Sequence, residues 1–284
     1  MTSGFDALSL AIFTSLAPSG AVAFIVLALA RMGMRDHDAA VRLDRMMALP
    51  FSVALVGFIA SATHLGTPAN ALHVFSGIGR SPLSNEVLSA VLFLFLVGSY
   101  WMAAFKQRFA NGLAHGWLAL ACGAGTAFVA CTSCAYAVAT VPTWNTAYTP
   151  ANLVLSALFA GPILALLFLE AARVNPHAFE KCLVIASGAV LLAGTVVLAL
   201  HNASLSGIAN NELSASTLAP DYATAILAHF ALGALSVAAA AWSIRCNHSR
   251  NRVLAIRSAA SLLALAAVFA TRIAFYQLHM TVGF

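Results

Sequence analysis

The run VLSAVLFLFLVGSYWMAAF, from Val87 to Phe105, has no charged residue and no alternation of polar with apolar positions. A strand of a membrane barrel needs that alternation over about ten residues. In hydrocarbon every backbone N–H and C=O has to be satisfied within the segment, which leaves the α-helix. At a rise of about 1.5 Å per residue, about 20 residues cross a hydrocarbon core of roughly 30 Å. Seven further segments share this character. Composition agrees, with 61% hydrophobic and 8% charged residues, against roughly 25% charged in soluble domains. The sequence therefore predicts an all-α fold. It is a polytopic integral membrane bundle of eight transmembrane helices, a single transmembrane domain over residues 1–284. The helices are expected at about 7–30, 46–66, 86–105, 113–138, 150–172, 182–203, 222–244 and 254–279. The opening MTSGFDALSL lacks the basic region of a secretory signal, so the first segment is expected to stay as a span.

The charges orient the bundle. Arg31, Arg35, Arg42, Arg45, Lys106, Arg108, Arg173, Lys181, Arg245, Arg250, Arg252 and Arg257 follow spans 1, 3, 5 and 7. They are 12 of the 14 basic residues, and only Arg80 and Arg272 lie elsewhere. Basic residues concentrate in cytoplasmic loops, so both termini are expected outside. The same bias accounts for the net charge of +5 without a nucleic-acid partner. The outward segments, about 67–85, 139–149 and 204–221, are rich in Gly, Pro, Ser and Asn, too short for domains and suited to docking a protein. Pro18, Pro50 and Pro162 interrupt spans 1, 2 and 5 without forming the matched pair of a repeat-built transporter. Gly57, Gly98, Gly123 and Gly125 suit close helix packing in lipid.

Ionisable groups at membrane depth are costly and mark candidate sites. His64, Glu86, His201, His229, Arg272, Tyr276 and His279 all fall in the outer half. Glu170 lies at the inner side beside Arg173, where pairing is expected; His37, His115, His177 and His248 are expected to be solvated. Imidazole suits haem, but two stacked haems need histidines in both leaflets, and none is buried in the inner half. One outer haem on His64 and His201 stays open, as does a transporter. The five cysteines, an odd count mostly inside spans, make no disulfide framework, and Cys131-Thr-Ser-Cys134 is expected to pack as small buried thiols rather than bind metal. A quinol site needs a proton acceptor near neutral pH and an exit for the proton. Histidine supplies the first and a nearby carboxylate the second. His64, ending span 2, and Glu86, opening span 3, are joined by one outward loop. Each also has a bland reading: an interfacial imidazole for His64, and for Glu86 a first-turn acid favoured by the helix dipole. Arg272 is expected to pair with Glu86 or to hold a carbonyl oxygen, or equally to be a structural partner for backbone oxygens.

Several stretches are specific. They are IFT at Ile12–Thr14, FIVLALA at Phe24–Ala30, GFIAS-x-x-HLG-x-P across Gly57–Pro68, LSNE at Leu83–Glu86, TVPTW at Thr140–Trp144 and FY-x-LHMTVG at Phe275–Gly283. Together they resemble, nearly end to end, the membrane-anchor subunit of bacterial dimethyl sulfoxide reductase. The resemblance implies a subunit with no haem, iron–sulfur cluster or molybdenum of its own. It implies two periplasmic partners, an iron–sulfur electron-transfer subunit and a molybdopterin catalytic subunit. It further implies menaquinol oxidation near the periplasmic face, with His64 and Glu86 in the positions tied to quinol. Arg272, Tyr276, His279 and Trp144 are weaker candidates for lining the site or the docking face. Related anchors serve tetrathionate, selenate and other acceptors, so the terminal acceptor stays open.

Overall fold

The computed structural model describes residues 7–63, 68–106, 111–209, 214–245 and 249–280. The long helices are α1 (Leu8–Met32), α2 (His37–Met46), α3 (Ala48–Ala62), α4 (Pro82–Lys106), α5 (Asn111–Ala135) and α6 (Tyr148–Ala171). After them come α7 (His177–Ser204), the short α8 (Ala215–Leu218), α9 (Tyr222–Arg245) and α10 (Arg250–Gln277). Among the described residues there is no strand, only an isolated bridge between Ala209 and Ser214. Eight helical stretches are long and apolar enough to cross a membrane, with α2 and α3 together forming the second, His37–Ala62.

Several spans begin earlier than the change of polarity suggests. Asp36 accepts a hydrogen bond from the Asp38 backbone N–H at 3.0 Å and so starts α2 well before the apolar run. The expected start at 46 marks only the α2–α3 break, where Pro50 has no N–H to offer the carbonyl one turn back. α4 starts at Pro82, since proline is pre-organised for a first turn, and not at Glu86. α7 and α10 start at His177 and Arg250, earlier than the expected 182 and 254.

α1 and α6 are the most enclosed spans, each with 78% of its central window buried. α1 packs on α3, α5, α6 and α10, and α6 packs on α7 besides. The pair approach closely because Gly161 faces Val22: a Cβ there would sit 2.5 Å from Val22 side-chain atoms. Gly57 does the same for α3, where a Cβ would lie 2.8 Å from the Ala17 backbone nitrogen. Gly123, expected among these contacts, has open space around it. Gly57→Val should force α3 off α1 and cost about 1–3 kcal/mol. A lowered thermal midpoint of the detergent-solubilised protein is the check; an unchanged midpoint would refute the contact.

The start of α1 and the end of α10 share one end of the bundle, where the Tyr276 hydroxyl reaches the Leu10 carbonyl at 3.4 Å. Glu86 lies at this end too. The opposite end holds buried ion pairs. Arg31 meets Asp44 at 2.9 Å, and the Tyr100 hydroxyl donates to the same carboxylate oxygen at 2.7 Å. Arg257 meets Glu180 at 2.7 Å and donates to the Leu166 carbonyl at 2.8 Å. Glu170 pairs with Arg250 and Arg257 at 3.8 and 3.9 Å, not with Arg173 as expected. Its neighbour in sequence points elsewhere because α6 has ended and Arg173 takes a left-handed φ of 55°. His177 is exposed as expected, whereas His115 is half-buried with its Nε2 unpartnered; His248 lies outside the described residues.

Candidate functional site

Glu86 stands on the interior stripe of α4. Glu86, Ala90, Phe93, Val97 and Tyr100 recur at helical spacing and are all buried. The start at Pro82 puts Glu86 a turn inside the helix, past the positions where the dipole would stabilise an acid. The side chain is 4% exposed, and Oε1 makes no hydrogen bond. Thr132 of α5 is the polar side chain that faces it, yet the Thr132 hydroxyl closes no hydrogen bond either. A buried carboxylate oxygen without a donor is costly. Packing does not require it, so it is the group at this end with chemistry to spare.

Arg272 occupies the interior stripe of α10 at 3% exposure. Its Nη2 donates to the Asn152 carbonyl at 2.9 Å and to Ser156 Oγ at 2.7 Å, so α6 holds it through one nitrogen. Of the expected roles, that of a structural partner for a backbone oxygen is the one found; among the described residues it forms no ion pair with Glu86. Its Nε has no partner. Between the two charges lie Tyr136 and Tyr276, whose rings meet edge to face at 5.7 Å. Both phenols are within electrostatic reach of Glu86 and of Arg272. The Tyr276 hydroxyl also faces Thr14 Oγ1 at 3.4 Å, which ties the cluster to α1. Acceptor, donor and two phenols thus line one buried region.

His64 lies outside the described residues, between the end of α3 at Ala62 and the 3-10 helix Pro68–Gly77. His73, on that 3-10 helix, is exposed. Trp144 and His279 do not join Glu86. Trp144 donates to the Phe275 carbonyl at 3.1 Å, stacks on Phe275 at 5.0 Å and meets the exposed His279 ring at 5.1 Å. Thr143 donates to the Leu278 carbonyl beside them. These contacts staple the connection between α5 and α6 over the end of α10. They make a lid and an outer surface, and the half-buried Trp144 packs edge to face on Tyr276 at 5.8 Å and on Tyr136 at 6.4 Å.

His201 is fully buried, with Nδ1 3.1 Å from the Tyr222 hydroxyl and Nε2 3.2 Å from the Thr143 carbonyl. Both ring nitrogens are engaged, and the ring latches α7 to α9 and to the lid. His229 is likewise held, with Nδ1 3.0 Å from the Ala267 carbonyl. Among the described residues no group of three or more His, Cys, Asp or Glu is placed to hold a metal. Cys131 is half-buried and Cys134 exposed, both free, on the outer face of α5 and not packed between helices as expected. Sequence reading missed Thr132, Tyr136, Asn152, Ser156 and Tyr222. Their signal was available, since each is a polar residue on a span's interior stripe or just beyond its end.

Eight apolar spans, ion pairs gathered at one end and a partly unsatisfied polar cluster at the other define a multi-pass membrane protein with one buried site. The chain belongs to the DMSO reductase anchor subunit (DmsC) family, whose model matches residues 1–278. It is 32% identical over 283 residues to YnfH, a component of an anaerobic dimethyl sulfoxide reductase of Escherichia coli. It is 33% identical over 287 residues to the C component of an anaerobic dimethyl sulfoxide reductase of the same organism. The corresponding C component from Haemophilus influenzae is 27% identical over 284 residues. Each alignment takes in 100% of this chain and 98% of the relative.

Proposed function

We propose that this chain is the membrane-anchoring, quinol-oxidising subunit of a dimethyl sulfoxide reductase-like complex in a bacterial inner membrane, folded as a single transmembrane domain. The observation that carries the reading is Glu86: a carboxyl buried inside a span, with Oε1 unpartnered, within reach of two phenols that also reach Arg272, whose Nε is free. A quinol ring offers two hydroxyls. Glu86 accepts a hydrogen bond and then a proton, and Arg272 and the phenols hold the ring oxygens. His64, joined to Glu86 by one outward loop, accepts the other proton. Menaquinol is the substrate: it loses two protons and two electrons and leaves as menaquinone.

The basic residues at the opposite end support a periplasmic Glu86 end, with both termini there. Electrons leave on that side to an iron–sulfur partner subunit, which feeds a molybdopterin catalytic subunit; neither group is held by this chain. The names of the matched relatives support dimethyl sulfoxide as the acceptor class. Protons released on the same side would build no proton-motive force in this step.

The test is photolabelling of the complex in membranes with an azido-menaquinone. Labelled peptides are expected from the start of α4 and the end of α10, and excess menaquinone should suppress them. Labelling confined to the Arg31 end, or unaffected by competitor, would overturn the assignment.

A further inference from the structure

At the end of the bundle away from Glu86, a cavity of about 200 Å³ opens between α2 and the end of α6. It is lined by Arg42, Arg45, Met46, Ala171, Ala172 and Arg173. That volume is several times the roughly 30 Å³ a water occupies in liquid. All three arginines are exposed side chains, and no ion pair among the described residues includes them. This sets them apart from Arg31, Arg250 and Arg257, which all meet carboxylates at this end. Asp44 is committed to Arg31 and Tyr100, and Glu170 to Arg250 and Arg257, while Asp38, one turn before Arg42 on α2, forms no ion pair with it among the described residues. Arg42 spends its Nε on the Ala172 carbonyl at 3.1 Å, a capping contact for α6. Capping explains one nitrogen of one arginine. It leaves Arg45 and Arg173 without a structural task, and three like charges around one cavity repel unless an anion joins them.

Two features say what kind of anion. The floor is apolar, made by Met46, Ala171 and Ala172. The cavity also lies where spans end, beside an aromatic group of the kind that marks a membrane–water interface. Trp101 donates to the Arg45 carbonyl at 3.2 Å, stacks on Phe51 at 6.5 Å and meets Phe105 at 5.2 Å. Below it α3 and α4 expose Leu49, Met102 and Phe105. A phosphate in the cavity would have apolar surface alongside for acyl chains, which a free anion would not use. Basic pockets between spans recognise anionic lipid headgroups by this combination.

We propose that Arg42, Arg45 and Arg173 form a binding site for the phosphate headgroup of an anionic phospholipid, with its chains laid against α3 and α4. The inference stands apart from the quinol reading and uses none of its residues.

The test is native mass spectrometry of the complex in mild detergent, titrated with phosphatidylglycerol. The wild type is expected to bind it in preference to phosphatidylcholine. Arg45→Gln/Arg173→Gln, which touches no structural hydrogen bond of these side chains, should weaken that binding by roughly tenfold or more. Arg35→Gln/Arg252→Gln removes two exposed charges elsewhere and should leave it unchanged. If the double variant does not assemble, Arg45→Gln alone should show a smaller loss in the same direction. Equal binding by wild type and pocket variants, an equal loss in the control, or equal uptake of phosphatidylcholine would overturn the proposal. Displacement of the lipid by millimolar inorganic phosphate would overturn its assignment to lipid.

Discussion

Glu86→Gln is expected to cut menaquinol-dependent acceptor reduction by the assembled complex about 10²- to 10⁴-fold, the range general-base removal reaches. Reduction driven by an artificial dye, which feeds the partner subunits directly, should stay at the wild-type rate. Glutamine keeps the shape and one acceptor oxygen but cannot take a proton at neutral pH. Because Glu86 Oε1 has no donor, the change strands no partner. The amide fills the same site, 4% exposed, without adding a buried charge, so folding and assembly should not suffer. A structural role predicts the reverse: less complex in the membrane and both activities down together. His64→Ala should give the same selective loss. Arg272→Leu should differ, because it frees the Asn152 carbonyl and Ser156 Oγ and so lowers stability as well as quinol turnover. Normal menaquinol turnover in Glu86→Gln would sink the proposed site.

The spans were legible because lipid imposes a single requirement on backbone polar groups, and runs such as Val87–Phe105 meet it in only one way. Their ends were not. α2, α7 and α10 begin just after Asp36, at His177 and at Arg250, well before the apolar runs, so Arg257, read as a loop residue, proves buried, as does Glu180. Glu86 was legible as a charge at membrane depth, but its position past the first turn depended on where α4 begins. Arg272 could be read as buried, while its partner could not, since Asn152 and Ser156 lie more than a hundred residues away in sequence. That Trp144 stacks on Phe275 and meets both His279 and Tyr276 was equally hidden. All of these fall near motif ends, and only the fold of the α5–α6 connection brings them together.

Asp44→Ala is expected to destabilise the chain by about 3–5 kcal/mol, the cost of removing one partner from a buried ion pair. Arg31 and Asp44 are 3% and 6% exposed and meet at 2.9 Å. The substitution leaves the guanidinium at the end of α1 with no counter-charge and takes from Tyr100 the acceptor it uses at 2.7 Å. Three helices, α1, α2 and α4, lose their common polar contact at once. The thermal midpoint in detergent should fall by far more than for Gly57→Val, and membrane levels of the chain should fall with it. Asp44→Asn should lie between, since it restores an acceptor but not the charge. Arg31→Met/Asp44→Leu should recover most of the loss, because the pair's attraction is largely spent offsetting the desolvation of its members. A double variant as unstable as Asp44→Ala would show instead that the pair contributes net stability of its own. The charges at the Arg31 end would then hold the bundle together, and Glu86, which has no such partner, would stand out further as a group kept for its chemistry.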